Sequence, residues 1–176
     1  MQMFVLHWGE MGTTWGVNRS VAQIHALLFI SDDPLTAESI AGFLNLARSN
    51  VSNSLKELLG WQLIKRVPVL GDRRDYYTAE ADMFEMVRRI AAGRKARELD
   101  PTLAVLRECV SMADNDPKMS RGARKRLSDM LTFSEAVDKG FGEILRLPGP
   151  TLMALIRLGG KVAKFVRPMG KAVNKR

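Results

Sequence analysis

The sequence has one cysteine and two histidines among its 176 residues. A single cysteine excludes an intramolecular disulfide, and so few cysteine and histidine side chains leave little basis for a metal site. Long apolar runs are also missing, because none approaches the roughly 18 residues that a membrane-spanning helix requires. The first residues lack the basic flank of a secretory signal. We therefore expect a cytoplasmic protein without stable membrane insertion.

Catalytic patterns are equally scarce. The sequence shows no nucleophile with a base, no glycine-rich phosphate loop and no carboxylate pair beside a histidine. We therefore expect a protein that is not an enzyme and has no cofactor. Cys109 shares an apolar helical pattern with Leu106 and Val110, which favours a buried, inert thiol over a redox switch. His7 and His25 are interpreted as packed or interfacial side chains rather than metal ligands or pH sensors.

Positive charge is abundant but uneven. The net charge is +8, yet residues 1–80 carry seven basic and eight acidic side chains. Residues 81–176 carry twenty basic and eleven acidic ones. Such a balance suggests nucleic acid as a partner, although a basic tail is also compatible with an anionic membrane or with simple solvation.

Helical periodicity dominates the chain. The spacing predicts helices over residues 2–14, 18–31, 36–44 and 48–59, then from 83 to about 97–99, and over 119–146. Thr36 is a good N-cap for the third helix. Asp100-Pro101 is where we expect the fifth helix to kink or break.

Between the fourth and fifth helices the period changes to that of a β-hairpin. Residues 63–69 are β-branched and roughly alternating, residues 70–74 form a charged turn, and residues 75–78 return as a strand. Pro68 implies that the first strand lies at an edge. Two short helices, a tight turn and a hairpin predict a mainly α fold: a winged helix-turn-helix with a small β-hairpin wing, flanked by N- and C-terminal dimerisation helices.

The predicted organisation has four parts. An N-terminal dimerisation helix (1–17) precedes the winged helix-turn-helix (18–80), dimerisation and effector helices (81–147) and a basic amphipathic tail (148–176). In the tail, apolar residues at helical spacing (Leu152, Leu155, Ile156, Val162, Phe165, Val166 and Met169) oppose basic ones (Arg157, Lys161, Lys164 and Lys171). We expect this helix to pack on its own dimer, with DNA phosphates and a membrane surface as alternatives. Gly159-Gly160 and Pro168 favour a broken helix.

The polar outward face of the fourth helix suits double-stranded DNA. Asparagine pairs with adenine, serine reaches a base or a phosphate, and arginine and lysine neutralise phosphates. Arginines at the hairpin tip suit a minor groove or the backbone. The predicted DNA-binding residues are Arg48, Ser49, Asn50, Ser52, Asn53, Lys56, Arg73 and Arg74. Two alternatives are a plain three-helix packing unit with a solvated face and a winged-helix module that binds another protein.

Three stretches carry a family resemblance. These are the helix with Arg19, Ile24 and Leu27 before the sequence DDPLT, the segment ARSNVSNSLKELLGWQLIKRV, and the wing GDRRDYYTAE. Residues 16–80 resemble the GbsR branch of the MarR-type transcriptional regulators. The resemblance implies a homodimer, a winged-helix DNA-binding domain and, in many members, a small-molecule effector; some members respond to choline. Ala47 departs from the Ser or Thr usual at the start of the recognition helix, which implies a missing cap.

Aromatic residues supply a candidate effector site. Trp8, Trp15, Trp61 and Tyr76, with Tyr77, are suited to an aromatic box for a quaternary ammonium ligand such as choline. Core and dimer packing is the competing interpretation. We expect any effector to bind between the winged unit and the dimerisation helices, where it can bias the spacing of two recognition helices.

Overall fold

The computed structural model describes the backbone of residues 1–166 and the side chains of residues 1–159. The helices are α1 (Gln2–Thr14), α2 (Arg19–Phe29), α3 (Ala37–Leu44), α4 (Arg48–Gly60), α5 (Met83–Arg94), α6 (Asp100–Asn115), α7 (Arg121–Arg146) and α8 (Gly149–Val166). The strands are β1 (Leu35–Thr36), β2 (Ile64–Val69) and β3 (Asp72–Ala79). This confirms a mainly helical fold with a small sheet. The chain divides into two compact units, Met1–Gly93 and Arg94–Arg176.

Helices α1 and α2 pack in close contact because two glycines lie between them. A Cβ on Gly9 would lie 2.6 Å from Cγ of Gln23, and one on Gly12 would lie 2.5 Å from Cβ of Ala22. A side chain at Gly12 would push the helices apart, and one at Gly9 would displace the side chain of Gln23. The close approach buries Val5 of α1, which is 1% exposed, in the core of the first unit.

Local signals set the ends of α3 and α4. The Thr36 hydroxyl caps α3 by accepting from the backbone N–H of Ser39 at 3.2 Å. Asn45 ends α3 in the left-handed region, at φ 50°, where asparagine is better tolerated than most residues. Ala47 gives α4 no side-chain cap, as expected. The apolar faces of these helices meet in a core that includes Ile40, Val51 and other buried residues of α2 and α4.

The sheet has the strand order β1-β3-β2, and all its pairs are antiparallel. Strand β2 therefore lies at an edge, as Pro68 indicated, and the register shifts between Val67 and Val69. The predicted hairpin was wrong in the length of its turn, and a third strand, β1, was not predicted. The returning strand begins at Asp72, because Leu70 and Gly71 alone make the turn, with Gly71 at φ +83°. Strand β1 has only two residues, too few to show any periodicity in the sequence.

The C-terminal end of α4 packs against α5. A Cβ on Gly93 would lie 2.5 Å from the Trp61 ring, so the indole packs directly on the α5 backbone. Arg89 of α5 donates to the carbonyl oxygen of Gln62, which has φ 57°. The same guanidinium pairs with Glu80 at 3.1 Å. Both ends of the wing are thereby tied to one helix.

The second unit is described from Arg94 to Val166. A π-helical segment (Lys95–Leu99) leads into α6, so Asp100-Pro101 begins a helix instead of breaking one. Pro101 lies in the first turn of α6, where a backbone N–H would have no intrahelical partner in any case. Lys95 contacts Asp100 at 2.5 Å and Asp138 of α7 at 2.8 Å. Both hydrogen bonds raise the pKa of Lys95, and the bond to Asp100 has the larger effect.

Helix α8 runs from Gly149 to Val166 without a break at Gly159-Gly160, contrary to the expected interruption. The hydrogen-bonded ladder tolerates glycine at a modest cost in stability. Pro168, Met169 and Lys171 lie outside the described residues, so that part of the predicted tail is not placed.

Within residues 1–166, no helix combines the length and the apolar character needed to cross a membrane.

Candidate nucleic-acid interface

The predicted DNA-binding residues of α4 all lie on its exposed face. Arg48, Ser49, Asn50, Ser52, Asn53 and Lys56 are exposed, whereas Val51, Leu55 and Leu58 of the same helix are buried. Arg48 is paired with Glu38 of α3 at 2.8 Å, and 77% of its side chain remains exposed. An exposed ion pair of this kind is weak, so Arg48 can leave Glu38 for a phosphate.

The two wing arginines differ in their surroundings. They are consecutive in β3, so their side chains point to opposite faces of the sheet. Asp72, Arg74 and Tyr76 share one face: Nε of Arg74 donates to Oδ2 of Asp72 at 2.9 Å, and the Tyr76 hydroxyl donates to the same oxygen at 2.8 Å. Arg73 is exposed, and no hydrogen bond or ion pair engages its side chain in the part of the chain that the structure describes.

The charges on this face of the wing reinforce each other. Hydrogen bonds from Arg74 hold the pKa of the Asp72 carboxyl well below its usual range. The bond from the Arg74 side chain has the largest effect, and the bond from its backbone N–H comes second. The Asp72 carboxylate in turn raises the pKa of Arg74 and of Tyr76. Arg74 is therefore already paired with a carboxylate, whereas the positive charge of Arg73 has no such partner among the described side chains.

The four aromatic candidates do not form one box. Trp15 is the C-cap of α1, Trp61 packs on Gly93, and Tyr76 bonds to Asp72 in the wing. Of the four, Trp8 lines a cavity whose described lining includes none of the other three. That cavity, of about 110 Å³, lies inside the first unit and is lined chiefly by Phe4, Trp8, His25, Phe29, Met83 and Met86.

His25 is the one titratable side chain among the residues that line this cavity. His25 is 4% exposed, and no group of the described residues forms a hydrogen bond with its Nε2. The surrounding side chains are aromatic or sulfur-bearing, so burial disfavours the charged imidazolium and lowers the pKa of His25 to about 4. His25 is thus a packed histidine, as expected, whereas His7 is exposed.

Cys109 is exposed, so the expectation of a buried thiol was wrong. The buried stripe of α6 runs through Leu103, Leu106 and Ala113, and Cys109 falls beside it. Its side chain instead lines an open groove of about 380 Å³ with Val105, Leu106 and Met130. No cluster of three or more metal-ligating side chains occurs among the described residues.

Sequence reasoning missed three partners of the site. Ser20 of α2 contacts Asn50 of α4 at 2.8 Å, Glu38 pairs with Arg48, and Asp72 binds Arg74. The last pair had a visible signal, since residues two apart in a strand share a face. The contacts across helices depend on how α2, α3 and α4 pack, which no local pattern shows.

A comparison with protein families matches residues 15–75 to the family model described as MarR family. This segment holds α2 to α4, β1, β2 and the first part of β3. The comparison with curated proteins found no match.

Solved structures with a similar fold include a protein described as a transcriptional regulator. It is 18% identical, with a TM-score of 0.62, over 82% of this chain and 94% of that chain. A mutant of MepR from Staphylococcus aureus, bound to an oligodeoxyribonucleotide, is 18% identical with a TM-score of 0.39, over 77% of this chain and 90% of that one. The transcriptional regulator Tm0710 from Thermotoga maritima is 15% identical with a TM-score of 0.39, over 80% and 90% of the two chains. At 18% identity, the similarity to the first of these structures shows a shared fold.

Proposed function

We propose that this chain is a MarR-type, DNA-binding transcriptional regulator that acts in the cytoplasm as a homodimer, and that it belongs to the GbsR branch. One observation carries the proposal: the match to the MarR family model covers a helix-turn-helix whose exposed polar face lies on the same domain as a wing with an unpaired arginine. The polar face supplies base contacts, and the cations supply phosphate contacts. The residues proposed for DNA are the eight predicted from the sequence.

The dependence of binding on salt tests this function against a protein-binding winged module. We expect fluorescence anisotropy to show tight binding to duplex DNA of about 30 bp, weakening by about 10³-fold or more between roughly 50 and 200 mM salt. Released counterions cause this dependence. An apolar protein interface would not change so steeply, and a chain with no affinity for any duplex would contradict the function.

The exposed apolar side chains support a homodimer. In α1, Met3 is 84% exposed, and in α7 Phe133 is 70% exposed. In α7, Met130 and Val137 are exposed on the same helix face as Phe133, and contiguous exposed apolar side chains mark interaction surfaces. A two-fold dimer would cover them and set two recognition helices about one DNA turn apart.

The unequal wing arginines lead to a direct prediction. Arg73→Ala should lower the salt slope of binding to random-sequence duplex by about 0.9, the value for one phosphate contact. Arg74→Ala removes the same formal charge and is therefore the matched control. Its slope should change less, because Asp72 already neutralises Arg74. Equal salt slopes for the two variants would contradict the prediction that Arg73 contacts phosphate more strongly than Arg74.

The cavity beside His25 is the proposed effector site. Its walls come from α1, α2 and α5, that is, from the winged unit and the helices on either side of it. The rings of Phe4 and Trp8 lie 5.4 Å apart, and aromatic faces attract quaternary ammonium groups. Choline is the first ligand to test, on the strength of the resemblance to the GbsR branch.

A thermal-shift titration checks this ligand. Saturating choline, at about 100 times its Kd, should raise Tm by roughly 5–10 °C, because a ligand stabilises the state that it binds. Trp8→Ala should abolish the shift. Trp15→Ala, outside the lining of the cavity, should preserve it. A titration without any shift in the wild-type protein would exclude choline.

A further inference from the structure

A buried serine of α2 contacts the proposed recognition helix α4. Ser20 lies in the first turn of α2 and is 5% exposed. Its Oγ is 2.8 Å from Oδ1 of Asn50 and 3.3 Å from Oγ of Ser54, which is also buried. Asn50 is exposed on the polar face of α4. The cluster therefore runs from the interior to the surface proposed to meet DNA.

The N-cap of α2 fixes the position of Ser20. Oδ1 of Asn18 accepts from the backbone N–H of Ser20 at 2.9 Å and lies 2.7 Å from its Oγ. The single hydroxyl proton of Ser20 is thus shared between the carboxamides of Asn18 and Asn50. Ser54 brings a second hydroxyl to Asn50 Oδ1, at 3.4 Å.

These contacts restrict what Asn50 can recognise. Bidentate pairing with adenine needs the oxygen and the amino group of one carboxamide at the same time. In Asn50 the oxygen faces two serine hydroxyls, so only the amino group is available to DNA. Asn53 is exposed, and no hydrogen bond among the described side chains occupies its carboxamide. Asn53 alone of the two can pair with adenine in the bidentate manner.

We propose, resting on the DNA-binding function above, that Ser20 is a positioning residue for sequence specificity. It holds Asn50 as a donor that contacts an acceptor on a purine edge, N7 or guanine O6. Ser20 touches no DNA itself and acts through Asn50. Without the Ser20 hydroxyl, the Asn50 carboxamide keeps only the longer contact with Ser54, so it is held less firmly and discriminates less between base pairs.

The test uses the full-length protein and a pool of random-sequence duplexes. Duplexes selected by the wild-type protein define a preferred sequence, and affinities are then measured for that duplex and its single-base-pair variants. Asn50→Ala should reduce the preference at one base pair about tenfold, the scale of one lost base contact. Ser20→Ala should reduce the preference at the same base pair. Adding Ser20→Ala to Asn50→Ala should cause no further loss there, because the two residues act as one contact.

Ser31→Ala is the matched control. The Ser31 hydroxyl donates to the carbonyl oxygen of Leu27 at 2.6 Å, at the other end of α2. This variant should keep the wild-type preference at every position. A ratio of two affinities is also insensitive to a loss of folded protein, since both duplexes meet the same active fraction. Lower stability of Ser20→Ala therefore does not mimic the expected result.

Two contrary outcomes are distinguishable. If Ser20→Ala keeps the wild-type preference, or weakens binding to all duplexes equally, the positioning role is overturned while DNA binding stands. A uniform loss in Asn50→Ala likewise overturns it, by assigning Asn50 to a phosphate. If the wild-type protein binds no duplex at any salt concentration, the proposed function itself fails.

Discussion

Phe133→Asp should convert the proposed dimer into monomers and reduce affinity for selected duplex DNA by at least about a hundredfold. Phe133 is 70% exposed in α7, and Met130 and Val137, three residues before and four after it, are 56% and 44% exposed. This spacing places all three on one helix face. A two-fold interface contains each substitution twice. Each aspartate would be buried in the interface without its hydrating water, which costs free energy of association. A monomer also lacks the phosphate contacts that the second protomer of the dimer would make.

Light scattering at micromolar protein and anisotropy on duplex DNA measure the two effects together. Ser128→Asp is the control, because Ser128 is exposed on the same helix but lies five residues from Phe133, on another face. It should leave both mass and affinity unchanged. A Phe133→Asp protein that keeps the dimer mass would move the interface away from this face of α7. A monomeric wild-type protein would remove the dimer from the proposal.

Most helix positions could be predicted because the sequence carries their local causes. Thr36 caps α3, Asn45 accepts the left-handed turn, and apolar residues recur at helical spacing through α2 and α4. Where a local cause is weak, the prediction failed. The two residues of β1 show no period, and the interruption expected at Asp100-Pro101 comes just before it, in the π-helical segment Lys95–Leu99.

The sequence predicted which residues of the candidate site are exposed, but not which of them contact other side chains. Periodicity alone separates the polar face of α4 from Val51 and Leu55, which are buried. Which of those polar groups are already engaged depends on neighbours distant in sequence: Ser20 is 30 residues from Asn50. The aromatic box failed for the same reason. Trp61 and Tyr76 have the right chemistry, but α5 and the wing hold them apart from Trp8.

Acid should destabilise the first unit through His25. Burial lowers the pKa of His25 to about 4, whereas the imidazole of an unfolded chain titrates near 6.5. Between these values the unfolded chain binds the proton and the folded one does not, so stability is complete above about pH 6.5 and declines as pH falls toward 4. The free energy of unfolding should drop by about 2 kcal/mol between roughly pH 7.5 and 5.

Denaturant unfolding at fixed protein concentration, followed by tryptophan fluorescence, measures this drop, since all three tryptophans lie in the first unit. His25→Gln removes the buried imidazole and should abolish most of the pH dependence. His7→Gln removes the exposed one and should behave as wild type. Asp72 does not confuse the result, because its carboxyl titrates below its ordinary value of 3.8 when folded. An unchanged drop in His25→Gln would mean that His25 is not the group that takes up the proton.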